Sequence, residues 1–151
     1  MILAIDPGAC TGWAIFLPGV GLHSAGVCTV DDLSSPMFDT FAPRHAELVI
    51  EIPQVYRAAL SKGDPNDLIK VAVQAGRWIE RAKLRGWGVR EVHPTTWKGQ
   101  IPKEIHHARI ENALLADERA RASSALSLPK SKRHNALDAI GLGLFHLGRG
   151  R

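Results

Sequence analysis

Up to about residue 60 the apolar residues fall in short blocks closed by turn residues, and beyond it they recur mostly at helical spacing. Residues 1–6 are an apolar, β-rich run stopped by Pro7-Gly8. Residues 11–17 form a second run closed by Pro18-Gly19, and 22–30 a third that ends at Asp31-Asp32. Spacers this short predict an antiparallel meander. Residues 31–45 carry no clear period and have room for one short helix. Glu47-Leu-Val-Ile-Glu51 is an apolar strand with a carboxylate at its end, halted by Pro53. Asp64-Pro65-Asn66-Asp67 is a helix start, with a capping carboxylate, proline at the first helical position and acid in the first turn. That helix should run to about residue 85, with Leu68, Val71, Ala72, Ala75, Ile79 and Ala82 on its apolar side, and stop at Gly86. Residues 89–93 predict a strand ending before Pro94, and 103–117 a helix carrying Ile105, Ile110, Ala113 and Leu114. Residues 119–130 are polar and rich in alanine and serine, with Pro129 among them, and read as a flexible connector. A last helix begins near Ser131 and carries His134, Leu137, Asp138, Gly141, Leu142 and Phe145, before a loose end at 148–151. The expected fold is α/β: a mixed five-stranded sheet, three strands antiparallel and then two parallel, flanked by helices in three layers.

Composition narrows this little further. With 151 residues, 45% apolar and 23% charged, the chain suits one globular domain over 1–151. No apolar run reaches membrane-spanning length, and the opening Met-Ile-Leu-Ala-Ile-Asp lacks a basic region and a cleavage site, so it reads as a strand. Cys10 and Cys28 make no CxxC pair, and free thiols, buried or half-buried, in a reducing cytoplasm are preferred to a disulfide between neighbouring strands, which would need an oxidising compartment. Charge adds more. The net is +4, but residues 1–60 hold two basic residues against six acidic ones, while the remainder holds seventeen against nine. An acidic first portion beside a basic remainder suits a carboxylate metal site framed by a polyanion-binding surface.

Three acids occupy unusual positions. Asp6 and Glu51 each end an apolar strand, and Asp138 sits among Leu137, Ile140 and Leu142 on an otherwise apolar helix. Burying an ionised carboxylate without a partner is unfavourable by several kcal/mol. Three converging acids would need cations to stay ionised, and oxygen-only ligands suit Mg²⁺ or Mn²⁺. His134 and Asn135, four and three residues before Asp138, share its helical face. His134 is a candidate fourth ligand or proton shuttle, and Asn135 offers only a carbonyl oxygen. The remaining histidines, including His23, His106 and His107, read as structural or exposed. Lys98, Lys103, Lys130, Lys132 and Arg133 lie near element ends, where phosphates are favoured. Tyr56 and Arg57 follow Glu51 and suit stacking and charge contacts to nucleic acid.

Taken in order, these segments resemble the RuvC-type Holliday-junction resolvases. Ile2-Leu3-Ala4-Ile5-Asp6-Pro7-Gly8 with Thr11-Gly12-Trp13-Ala14 resembles that family's first hairpin, and Leu48-Val-Ile-Glu51 with Gln54-Val55-Tyr56 its fourth strand. Val73-Gln74-Ala75-Gly76 is similar to the glycine-containing turn of the next helix. His93-Pro94, Trp97-Lys98 and Lys103 resemble its proline-lysine segment, and Asn135-Ala-Leu-Asp138-Ala139-Ile140 its last helix. The resemblance implies an RNase H-like fold of compact, phage-type build. It also implies divalent metals, two per site, on Asp6, Glu51 and Asp138, with Lys98 and Lys103 at the scissile phosphate and Tyr56 near the junction bases. Two departures stand out. Asn135 occupies the place where many members carry another acid, and Ile52-Pro53 is inserted before Tyr56.

The expected activity is Mg²⁺-dependent cutting of four-way DNA junctions. One metal, bridged by Asp6, activates a water for in-line attack and the second steadies the leaving 3′ oxygen. Cutting two strands implies a two-fold homodimer. Three alternatives remain at this stage: a nuclease of RNA–DNA hybrids or other branched DNA, a junction binder with impaired catalysis, and an actin-like or sugar-kinase-like phosphate binder. The last needs two lobes, for which 151 residues leave no room.

Overall fold

The structure, a computed structural model, describes residues 1–29, 45–55 and 64–149. The segment expected to hold a short helix (31–45) lies almost wholly outside them, as do Tyr56 and Arg57. In chain order the elements are β1 (Ile2–Asp6), β2 (Thr11–Leu17), β3 (Gly21–Cys28), β4 (Glu47–Glu51), α1 (Pro65–Leu84), β5 (Gly88–Val92), α2 (Pro94–Trp97), α3 (Lys103–Ala113), α4 (Ala116–Arg121), α5 (Ser123–Leu126) and α6 (Lys130–His146). The sheet order is β3-β2-β1-β4-β5. β1 pairs antiparallel with β2, and β2 with β3, whereas β1–β4 and β4–β5 are parallel. This is the mixed, helix-flanked sheet that the apolar pattern predicts.

Side-chain alternation divides the sheet into two faces. Leu3, Ile5, Ile15, Leu48 and Ile50 point to one side and pack with Ala75, Trp78 and Ala82 of α1 and with Trp87. Asp64 caps α1 by accepting the Asn66 N–H at 2.9 Å, with Pro65 in the first turn, as its sequence indicates. The buried stripe of α1 departs from expectation at Ala72, which is exposed, whereas Ala75, Trp78 and Ala82 are buried.

The other face is covered by α6, which is buried continuously from Ala136 to Leu144. The sheet lies on one side of this helix, and Ile110 and Leu114 with Ala122 and Ala125 join it in one core. A helix enclosed on all sides has no polar stripe to present. The approach is close. A Cβ at Gly12 would collide with the Asn135 carbonyl of α6, and one at Gly143 would meet the Phe16 ring.

Two segments differ from expectation. The helix predicted over 103–117 ends at Ala113, where Leu114 turns extended, and Ile105 is 49% exposed while His106 takes the inward place. The polar stretch read as a connector (119–130) is largely helical, in α4, α5 and the start of α6. Ala122 and Ala125 within it are buried, and alanine gives no sign in a sequence of which side it packs.

α4 also buries a charge. Glu118 is fully enclosed and accepts the Leu22 N–H (2.9 Å), the Leu115 N–H (3.0 Å) and both Arg149 guanidinium nitrogens (2.7 Å each). Arg149 therefore anchors the segment read as a loose end, and it also donates to the Ala113 carbonyl at 3.0 Å. The Arg149 hydrogen bonds, set against burial and helped by the two backbone N–H groups, lower the Glu118 pKa from 4.5 to about 2. A depressed carboxylate adds stability above its unfolded pKa and loses it as pH falls through the folded one. Arg149→Met should therefore destabilise the protein at pH 7 by about 3–5 kcal/mol in urea melts, since it leaves a buried charge unpaired. The gap to wild type should close as pH falls from about 4.5 towards 2.

Candidate functional site

The β1–β4 register aligns Ile5 with Ile50, so the next residues, Asp6 and Glu51, lie side by side at the ends of two parallel strands. Both continue the parity of Ala4 and Val49, the residues that face α6. Across β1 the register places Gly12 opposite Asp6, and the α6 backbone packs at Gly12 through Asn135. Asp138, one helical turn further along α6, is thereby carried towards the two strand-end acids. The three carboxylates singled out in the sequence form one electrostatic cluster.

A lysine stands among them. The short helix α2 follows β5 immediately, with Pro94 in its first turn, and presents Trp97 and Lys98 in succession. The Trp97 indole donates to Glu51 Oε2 at 2.8 Å, and Lys98 Nζ lies 2.9 Å from the same oxygen and 3.4 Å from Asp138 Oδ2. Lys98 also sits over the Trp97 ring, 4.7 Å from its centroid. From α3, Lys103 reaches Asp138 Oδ2 at 3.5 Å, and His107 Nε2 lies 3.1 Å from Asp138 Oδ1. His106 packs edge-on against Trp97 at 4.9 Å, and its buried Nε2 finds no hydrogen-bond partner among the described residues.

These surroundings separate the acids electrostatically. Burial pushes Asp6 up to about 8; Lys98 and Lys103 counter it, while Glu51 and Asp138 add to it. Burial also opposes ionisation of Asp138, but the His107 hydrogen bond and the two lysine charges outweigh it and hold the group at about 2. Desolvation disfavours the Lys98 charge, yet the three carboxylates raise its pKa above the ordinary lysine value.

The donor chemistry fits a hard divalent cation: three carboxylates, one of them pushed towards its neutral form by burial, which added positive charge would counter. No group of three or more His, Cys, Asp or Glu side chains among the described residues is arranged to hold a metal ion.

The other sequence candidates lie around this centre. Asn135 Nδ2 donates to the Cys10 carbonyl at 2.7 Å and ties α6 to the β1–β2 loop. His134 Nδ1 is 2.9 Å from the Lys130 carbonyl, so that nitrogen is engaged within its own helix. With Lys103, His107, Lys130 and Arg133 it lines a cleft of about 470 Å³ between α3 and the start of α6. Lys132 is exposed on the same first turn of α6. A smaller cavity of about 200 Å³, lined by Pro94, Lys98, Ile101, Lys103, His106 and Asp138, opens beside the acids. Cys10 and Cys28 are half-buried and not bonded to each other.

Two residues of the site escape the sequence reading. His107 had a usable signal: four residues after Lys103, it shares that lysine's helical face, so whatever Lys103 faces His107 faces too. Trp97 had none, because nothing in its spacing separates a carboxylate donor from ordinary packing.

No protein-family model and no curated protein sequence matches the chain. Solved structures share its fold, among them three junction-resolvase structures. Thermus thermophilus RuvC in complex with Holliday junction substrate is 18% identical, with 97% of this chain and 92% of that chain covered and a TM-score of 0.54. A second T. thermophilus RuvC structure is 14% identical, covering 99% and 98%, with a TM-score of 0.51. The yeast mitochondrial Holliday junction resolvase Ydc2 is 14% identical, covering 94% and 76%, at 0.58. The architecture is accordingly the RuvC-type, RNase H-like fold.

The Asp6 environment has a measurable consequence. A carboxyl whose folded pKa lies above its unfolded one destabilises the protein as pH rises between the two values. In metal-free buffer, Asp6→Asn should melt higher than wild type, with a gap that widens from about pH 4 to about pH 8 and then levels off. Thermal melts across that range test it; a gap that narrows with pH would contradict it.

Proposed function

We propose that the chain is a metal-dependent endonuclease that cuts four-way DNA junctions by phosphodiester hydrolysis. The observation that carries this reading is the meeting of Asp6, Glu51 and Asp138 around a lysine ammonium, on a fold shared with junction resolvases. In this reading the three carboxylates hold Mg²⁺ or Mn²⁺, two ions per site. Such ions supply an activated water and charge stabilisation for the leaving 3′ oxygen, giving 5′-phosphate and 3′-hydroxyl ends.

The chain's own residues supply the rest. Lys98 and Lys103 border the 200 Å³ cavity beside the acids and neutralise a phosphodiester seated there. The second cleft, with Lys130, Arg133 and His134, continues from Lys103 and suits the strand leading away from that phosphate. His107 keeps the Asp138 carboxylate turned inwards, and Asn135 holds the β1–β2 loop against α6. Trp97 fixes one Glu51 oxygen. Tyr56 and Arg57, outside the described residues, keep their proposed role beside the junction bases. Two cuts per junction call for two sites, hence a homodimer. Among the described residues no helix is long and apolar enough to cross a membrane, and the proposed compartment is the cytoplasm.

Labelled four-way junction, duplex, flap and RNA–DNA hybrid, each with Mg²⁺, Mn²⁺ or EDTA, test the reading. Wild type should cut the junction preferentially and only with metal. Asp6→Asn should lower that rate by at least about 10²–10³-fold, the usual effect of removing a group that stabilises charge in the transition state. Preferential cutting of the hybrid would replace the junction reading with a ribonuclease H one. Full Mg²⁺-dependent activity in Asp6→Asn would remove the role given to that residue.

A further inference from the structure

Lys98 stands where a cation of the cluster would stand. Its Nζ lies 2.9 Å from Glu51 and 3.4 Å from Asp138, and Asp6 is among the carboxylates that act on it. Its side chain is only 24% exposed, so the charge interactions are poorly screened. Lys103 is different: 52% exposed, it is ion-paired among the described residues with Asp138 only and is a more peripheral charge. Glu51 Oε2 already takes both the Trp97 indole and the Lys98 ammonium, which leaves that oxygen little capacity for a third positive partner.

From this geometry we propose that Lys98 is the resident counter-cation of the acid cluster, and that a divalent metal binds only as the Lys98 ammonium leaves. The proposal rests on the metal reading of the site given above. An ammonium 2.9 Å from Glu51 and 3.4 Å from Asp138 sits against the oxygens that a metal would take, so metal and ammonium cannot both hold them. The lysine also explains why the acids, though gathered, are not spaced for a metal among the described residues.

The exit is local. The Lys98 backbone N–H is bonded to the Pro94 carbonyl at 2.9 Å, so the base of the side chain is fixed and its methylene stem swings. The cavity beside the acids is lined by Lys98 itself, with Pro94, Gly99 and Ile101 on its wall, and receives the displaced ammonium. That is the cavity in which a phosphodiester is proposed to sit, so metal entry and delivery of a phosphate-binding charge become one movement. The ammonium makes the vacant cluster stable and leaves a fraction of molecules open to metal; apparent metal affinity falls by that fraction.

Two measurements on the DNA-free protein test this without reading activity. In the first, Mn²⁺ is titrated calorimetrically into wild type, Lys98→Met and Lys103→Met. Lys98→Met should bind about tenfold or more tightly than wild type, as expected if the open state is a tenth or less of the population, and Lys103→Met should stay within about threefold. In the second, reductive methylation of wild-type Lys98 is followed by peptide mass spectrometry with and without saturating Mg²⁺. Labelling of Lys98 should rise severalfold with metal. This arm needs no variant, so it stands even where Lys98→Met fails to fold. Equal or weaker Mn²⁺ binding by folded Lys98→Met overturns the proposal, as does Lys98 labelling unchanged by metal. Absence of Mn²⁺ binding in every protein overturns the metal reading itself, and this proposal with it.

Discussion

The site depends on a missing side chain. Gly12 lies opposite Asp6 across the β1–β2 pair, and only the lack of a Cβ there lets the α6 backbone reach the sheet at Asn135. With a side chain at position 12 the helix would stand off, and Asp138 would move away from the strand ends. Interiors packed at crystal-like density do not absorb such a displacement smoothly. One close backbone contact therefore fixes where a carboxylate on a helix meets two carboxylates on strands. The Asn135 amide, bonded to the Cys10 carbonyl, pins the same junction from the loop side.

Bringing three acids together creates an electrostatic problem, and the protein resolves it unevenly. Asp138, with His107 and two lysines around it, remains a strong acid, whereas desolvation, with no hydrogen-bond partner among the described residues to offset it, pushes Asp6 towards its neutral form. Perturbed acidities gather at functional sites, where burial and neighbouring charges push titratable groups apart. Burial raises Asp6, while His107 and the lysines lower Asp138, and those partner groups arrive from one continuous stretch between Pro94 and His107.

Much of this was readable from residue order. Turn pairs such as Pro7-Gly8 and Pro18-Gly19 delimited the strands, and the Asp64-Pro65 start delimited α1, because proline, glycine and capping acids act locally. Asp138 was conspicuous because a charge amid Leu137, Ile140 and Leu142 has no local explanation. What stayed hidden depends on distant partners. Glu118 looks like any solvated acid until Arg149 and the Leu22 N–H are folded onto it. The alanines at 122 and 125 carry no period that marks a buried face, so two packed helices read as a connector. His106 and His107 look alike in sequence, yet one packs beneath an indole while its neighbour orients a carboxylate. The parity that turns Asp6 and Glu51 to the same face follows from strand alternation, but that Asp138 waits on that face follows only from tertiary packing.

The latch between Glu118 and Arg149 bears on how the chain is made. Glu118 is sealed against the start of β3, far earlier in the sequence, while its guanidinium partner comes near the end of α6. On the ribosome, β1 to β3 emerge long before α6 can cover them, and Glu118 itself emerges before Arg149. During that interval α4 holds a carboxylate that has no reason to leave water. The final docking of α4 onto β3 waits for residue 149, so this part of the core closes only once α6 and Arg149 have emerged. A nascent chain paused between residues 118 and 149 would hold an open sheet face with the charge still outside.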